Sequence, residues 1–142
     1  MTRIDFYFEA DDKLQVACRL SAKAAQRRLR VLIYTADETE SQRIDRLLWT
    51  WQATGFVPHC MARSPLAAQT PVLITHDPGD MPHDEVLLNL HPQWPPAFGR
   101  FQRLVEIVGR DEADRQAARE RFRFYRDRGY AIEKHDLSKA HA

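Results

Sequence analysis

Four arginines, Arg115, Arg119, Arg123 and Arg126, recur at spacings of four, four and three residues, so on a helix they form one stripe. At about 100° per residue, Ala113, Ala117, Ala118, Phe122, Phe124 and Tyr125 spread over a separate apolar side, with Phe122 at the border of the two. A guanidinium presents a planar fork that matches a carboxylate or phosphate, and the stretch contains no lysine. Beside an aromatic edge, such a row suits a ligand that is acidic and ends in something apolar. Two other readings use the same residues. The row could be a solvated face, with Glu112 and Glu120 offsetting the arginines. It could also bind nucleic acid directly, Arg115, Arg119, Arg123 and Arg126 each meeting phosphates.

A second set of candidates is His76-Asp77 and His83-Asp84, which flank the turn-forming Pro78-Gly79 and could offer two imidazoles and two carboxylates to a metal in a hydrolase. No helical i,i+4 ligand spacing accompanies them. His59 and His91 stand alone beside prolines and read as packed or surface groups; Asp5 reads as an ordinary strand-end or surface carboxylate. No nucleophile–base set separates from background. Trp49, Trp51 and Phe56 form an aromatic group, and two tryptophans about 200° apart on one helix cannot both point inward. One of them should face solvent or a partner.

These residues need elements to hold them. Ile4 to Phe8 is β-prone; Asp11 to Arg28 carries apolar residues at helical spacing; Arg30 to Thr35 is a nearly continuous apolar run, as a buried parallel strand requires. Thr39 or Ser41 opens a second helix with Ile44, Leu47, Leu48 and Trp51 inward. The chain then reads as irregular from Gly55 to Pro71. Strands follow at Pro71–Thr75, Glu85–Leu90 and Arg103–Val108. Asp111 caps the arginine-bearing helix, with Asp114 three residues on as a weak capping box, and Gly129 ends it. Tyr130-Ala131-Ile132 is a possible edge segment, and the chain from about 134 reads as a polar tail. The β-α-β-α alternation argues for an α/β domain. A phosphate site is not expected in it, because the turn after the first strand is Glu9-Ala10-Asp11-Asp12, with no glycine-rich loop.

The whole 142-residue chain reads as one domain. Its net charge of +1 hides a local excess: residues 112–128 carry six arginines against four acids. That balance is unlike a DNA-coating protein. Cys18 and Cys60 are expected as free thiols, and without a secretory or membrane-length apolar run the expected location is the cytoplasm.

With these residues in hand, the chain resembles the chi-subunit family of bacterial DNA polymerase III. The resemblance runs collinearly from about residue 4 to 130. It is carried by Asp5-Phe6-Tyr7, Cys18-Arg19-Leu20, Arg30-Val31-Leu32-Ile33, Leu47-Leu48-Trp49-Thr50-Trp51, Gly55-Phe56-Val57-Pro58-His59, Val86-Leu87-Leu88-Asn89-Leu90 and Ala118-Arg119-Glu120-Arg121-Phe122. It implies a three-layer α/β/α fold with a mainly parallel central sheet, akin to mononucleotide-binding folds but without a nucleotide site. It also implies no catalysis; no cofactor and no metal are expected. The implied role is to join the clamp loader, through the psi subunit, to the acidic, phenylalanine-ended C-terminal tail of single-stranded-DNA-binding protein. The implied tail pocket falls on Trp49, Val108, Arg115, Arg119, Phe122 and Arg123. Arg119 would fork the terminal carboxylate, Arg115 and Arg123 would attract the tail's aspartates, and Phe122, Val108 and Trp49 would receive its last ring. Phe56 would contact psi, or a helicase that competes with psi for the same surface.

Overall fold

Val31–Tyr34, Val72–Thr75 and Val86–Asn89 are buried along their whole length, because each lies mid-sheet with helices or loops covering both faces. The structure is a computed structural model that describes residues 1–50 and 57–139. Among the described residues the order is β1 (Arg3–Ala10), α1 (Lys13–Gln26), β2 (Val31–Tyr34), α2 (Glu38–Thr50), β3 (His59–Met61), β4 (Val72–Thr75), β5 (Val86–Asn89), β6 (Arg103–Gly109), α3 (Glu112–Asp127) and β7 (Ile132–Asp136). The strands form one seven-stranded sheet in the order β3-β4-β2-β5-β6-β1-β7, and every pairing in it is parallel.

The α1 and α2 side chains Val16, Ala17, Ile44 and Leu48 pack with Val31, Ile33, Val72, Ile74 and Ile107 on one face. Ala118 and Tyr125 of α3 pack with Phe6, Leu32, Leu104, Val108 and Phe101 on the other. This is the expected three-layer arrangement. Cys18 lies in the first layer, and burial, with the Asp12 charge adding to it, pushes its thiol up to about 12. It is a core group and not a nucleophile. No helix among the described residues is long and apolar enough to cross a membrane.

The helix ends follow the residue chemistry. Asp12 caps α1 by accepting from the Leu14 and Gln15 N–H groups. Asp111 caps α3 by accepting from the Asp114 N–H at 3.3 Å. The expected capping box is modified, however. The Asp114 carboxylate reaches past the cap to the Gly109 N–H at 2.7 Å and to Lys13 Nζ at 2.9 Å, so it ties β6, α3 and α1 together. At the other end Gly129 adopts φ +83°, the Tyr130 N–H reaches the Tyr125 carbonyl, and the Gly129 N–H reaches that of Arg126. These two bonds make a Schellman close.

Two strands depart from expectation. His59–Met61 pairs with β4 inside the stretch expected to be irregular. Three residues after a proline give no periodicity to detect; the edge of β4 orders them. Residues 134–136, expected as the start of a polar tail, complete β7 on β1. Its polar composition suits an edge strand that is solvated on its outer side.

Asp5 is the anchor of that edge, which corrects its reading as a surface carboxylate. It is 1% exposed. It accepts from Arg103 Nε at 2.7 Å and from His135 Nε2 at 2.9 Å, and the His135 ring stacks on Tyr7. Burial pushes the Asp5 carboxyl up, but the hydrogen bonds from His135 and Arg103 and the charges of Arg103 and Arg3 outweigh it. The net effect holds the group below its ordinary 3.8. A depressed carboxyl pKa stabilises the fold at pH values above the unfolded-state value, and that stabilisation is lost as pH falls through the lower folded value. Asp5→Asn is therefore expected to cost about 1–3 kcal/mol at pH 7. The gap from the natural chain should narrow below about pH 4; urea unfolding at several pH values measures both.

Candidate peptide-binding site

The roll of α3 over the sheet is set by a charge that its sequence pattern conceals. Arg121 is 2% exposed, and its Nε donates to Glu106 Oε1 on β6 at 2.9 Å. Glu106 is fully buried and also accepts from Tyr125 Oη at 2.6 Å and from Asn89 Nδ2 at 3.0 Å. Arg121 Nη1 donates to the Pro92 carbonyl at 2.8 Å. Burial, and then the Glu106 charge beside it, push the Tyr125 phenol far up, so Tyr125 is a fixed O–H donor. Each member of this network has partners, the condition under which a buried ion pair is tolerated.

With Arg121 and Tyr125 turned inward, the adjacent side of α3 borders β6, β1 and the edge strand β7. There Phe6 and Phe8 of β1, Val108 and Gly109 of β6, Arg115, Ala118, Arg119 and Phe122 of α3, and Lys134 of β7 surround a hollow of about 400 Å³, which Glu9 completes. Its walls are apolar: the Phe6 and Phe122 rings meet edge to face with centroids 5.4 Å apart. Its rim carries three cations and one carboxylate, Glu9. Arg115 and Arg119 stand on one side, and Lys134 lies opposite with Nζ 5.1 Å from the Phe122 ring centre. An apolar well under three cations accepts an aromatic group joined to a carboxylate.

Of the residues expected at a tail pocket, Val108, Arg115, Arg119 and Phe122 converge here. Arg123 does not line the hollow; it lies exposed beside Glu120 at 3.1 Å. Trp49 does not reach it either. It sits on α2, against His59 of β3, at the far edge of the sheet, and is 56% exposed. A place in a helix rich in leucine and tryptophan says nothing about which end of the sheet that helix covers. Trp51 and Phe56 lie outside the described residues. Phe6, Phe8, Glu9 and Lys134 were not anticipated. The alternation of Phe6 and Phe8 on one strand was the available signal, while Lys134 was obscured by the polar composition of β7. Ala113, expected on the apolar side of the helix, is exposed.

The four residues of the metal reading are not gathered. His76 Nδ1 faces Ser41 of α2 at 3.3 Å, Asp77 accepts from the Gly79 N–H, and His83 accepts from the Glu85 N–H while its ring meets Phe101. Among the described residues, the donor atoms that cluster within 4.8 Å are those of Asp5, Glu133 and His135. Arg103 and His135 already occupy the Asp5 oxygens.

Comparison with known proteins adds a second line. The model of the family described as "DNA polymerase III chi subunit, HolC" matches residues 1–133. The chain belongs to that family. It is 37% identical over 143 residues to the DNA polymerase III subunit chi of Pseudomonas aeruginosa, covering 98% of this chain and 99% of the relative. To the subunit of the same name in Escherichia coli K12 it is 30% identical over 119 residues, 83% of this chain and 81% of the relative. The Haemophilus influenzae subunit is 28% identical over a similar span. The matched residues take in β1 to β6, α1 to α3 and the first two residues of β7, and with them every residue of the hollow except Lys134.

Because the Glu106–Arg121 pair sets the helix that carries the hollow, Arg121→Met is expected to leave Glu106 buried without its cation. The expected loss is about 3–5 kcal/mol in urea unfolding.

Proposed function

We propose that this chi-family chain is a non-catalytic accessory subunit of the replicative polymerase, joining the clamp loader, through psi, to the C-terminal tail of single-stranded-DNA-binding protein. The observation that carries the tail-binding part is the hollow itself: an aromatic-sized apolar well whose rim holds Arg115, Arg119 and Lys134. Arg119 forks the terminal carboxylate, and Val108, Phe122, Phe6 and Phe8 receive the last ring. Trp49 stands on a different surface, at the β3 end of the sheet. An exposed tryptophan there, seven residues before Phe56, supports that surface as the contact for psi or a competing helicase. Two sites at opposite edges of one sheet let both partners bind together.

The arginine row gives less support to direct nucleic-acid binding. Arg115 pairs with Glu9, Arg119 with Glu112, Arg123 with Glu120 and Arg126 with Asp127, all within 3.3 Å. A row interleaved with carboxylates has little net charge for phosphates.

The test is titration of a fluorescent acidic peptide ending in Pro-Phe, with a free or an amidated C-terminus. Saturable binding by the free acid, lost on amidation, is expected. Arg119→Ala should weaken the free acid about ten- to a hundred-fold, the scale of a lost charged hydrogen-bond pair, with an unchanged unfolding curve. Trp49→Ala should leave this affinity as it is and weaken capture of psi. Wild-type affinity in Arg119→Ala would remove the carboxylate fork from the proposal.

A further inference from the structure

The hollow is not empty of acid. Between Tyr7 and Ala10 the pairing of β1 with β6 slips: Tyr7 lies opposite Ile107 and Ala10 opposite Gly109, so β1 carries one residue more than its partner. This is a β-bulge, and its extra residue is accommodated at Glu9, which adopts φ +64°. Left-handed backbone is unfavourable for a residue with a side chain, and glutamate is not among the types that adopt it readily. Strict alternation would send Glu9 to the face that Asp5 and Tyr7 occupy. The bulge instead turns it to the rim of the hollow, where Oε1 lies 3.0 Å from Arg115 Nη2 and Oε2 lies 3.4 Å from Arg110 Nε.

Resting on the tail-pocket reading above, we infer that Glu9 is a built-in competitor for the acidic ligand. Its carboxylate holds Arg115 in the place that an acidic side chain of the ligand takes on binding. Arg115 is thereby neutralised until a ligand acid displaces Glu9. Arg119, whose partner Glu112 is a largely exposed residue of the same helix, is the more accessible fork. The two arginines consequently differ in role. Arg119 selects the terminal carboxylate, and the Glu9–Arg115 pair sets how much the upstream acids add. A ligand with a terminal ring and carboxylate but no upstream acids gains nothing from displacing Glu9.

The experiment compares Glu9→Gln with the natural chain, using two peptides that both end in Pro-Phe with a free carboxylate. One has upstream aspartates and the other has asparagines in their place. Glutamine keeps the size and a neutral hydrogen bond to Arg115 while removing the charge. Glu9→Gln is expected to bind the aspartate peptide about two- to five-fold more tightly, the scale of one partly exposed ion pair, and the asparagine peptide as before. Its affinity for the aspartate peptide should also fall more steeply with salt. Equal affinities of the two proteins for the aspartate peptide overturn the inference. So does an equal gain with both peptides, and a loss would instead make Glu9 a support that positions Arg115. Binding by neither protein removes the tail-pocket reading and this inference with it. Binding by the natural chain with no change in Glu9→Gln removes this inference alone.

Discussion

The candidate site depends on a single buried ion pair. Glu106 and Arg121 are both withdrawn from water, and each would be strongly unfavourable there without the other. Their pairing has one good geometry, because Tyr125, Asn89 and the Pro92 carbonyl take up hydrogen-bonding positions around them. Rotating α3 by one residue would bring another side chain to Glu106 and leave its charge uncompensated. An apolar contact surface tolerates such a shift far better than a charged fork does. The pair thus serves less as a source of stability than as a constraint on helix roll. That roll turns Arg115, Arg119 and Phe122 toward β1 and β7.

The far wall of the hollow depends on a second polar cluster. β7 is an edge strand with little apolar surface, so its backbone pairing with β1 is reinforced by the His135–Asp5 bond and by the His135 ring on Tyr7. Ile132 and Lys134 then point to the α3 side, and Lys134 reaches Phe122. Asp5 faces one side of the sheet while Lys134 serves the other. Alternation along two paired strands couples the chemistry of one face to the shape of the opposite one.

Periodicity made most of the frame legible. The apolar runs at Val31, Val72 and Val86, the helical spacing from Leu14 to Ala25, and the capped stretch from Asp111 to Gly129 all appear where their residues indicate. What periodicity missed is short or polar. His59–Met61 has too few residues to show a pattern, and Glu133-Lys134-His135 looks like a solvated tail until β1 is placed beside it. At the site, the helix residues were legible because they share one element. Phe6, Phe8, Glu9 and Lys134 come from strands over a hundred residues apart in the chain, and nothing local ties them to the arginines. Arg121 was illegible for a different reason: composition places it among the helix's surface arginines, and the partner that buries it is on β6. Trp49, expected at the pocket from the family resemblance, stands on α2 against His59 of the edge strand β3.

The arrangement of charge on α3 also bears on selectivity. A row of unopposed arginines near single-stranded DNA would be drawn to phosphates, whose density makes them strong competitors for any basic surface. Here each arginine of the row has a carboxylate partner, three from the helix itself and one from the β1 bulge. Long-range attraction to a polyanion depends on net charge and is weakened by this pairing. A fork closing on one carboxylate depends instead on local geometry, with a neighbouring apolar well to hold the attached ring. The interleaved acids therefore reduce the unspecific interaction more than the specific one. A surface so composed suits the proposed peptide carboxylate better than it suits a nucleic-acid backbone.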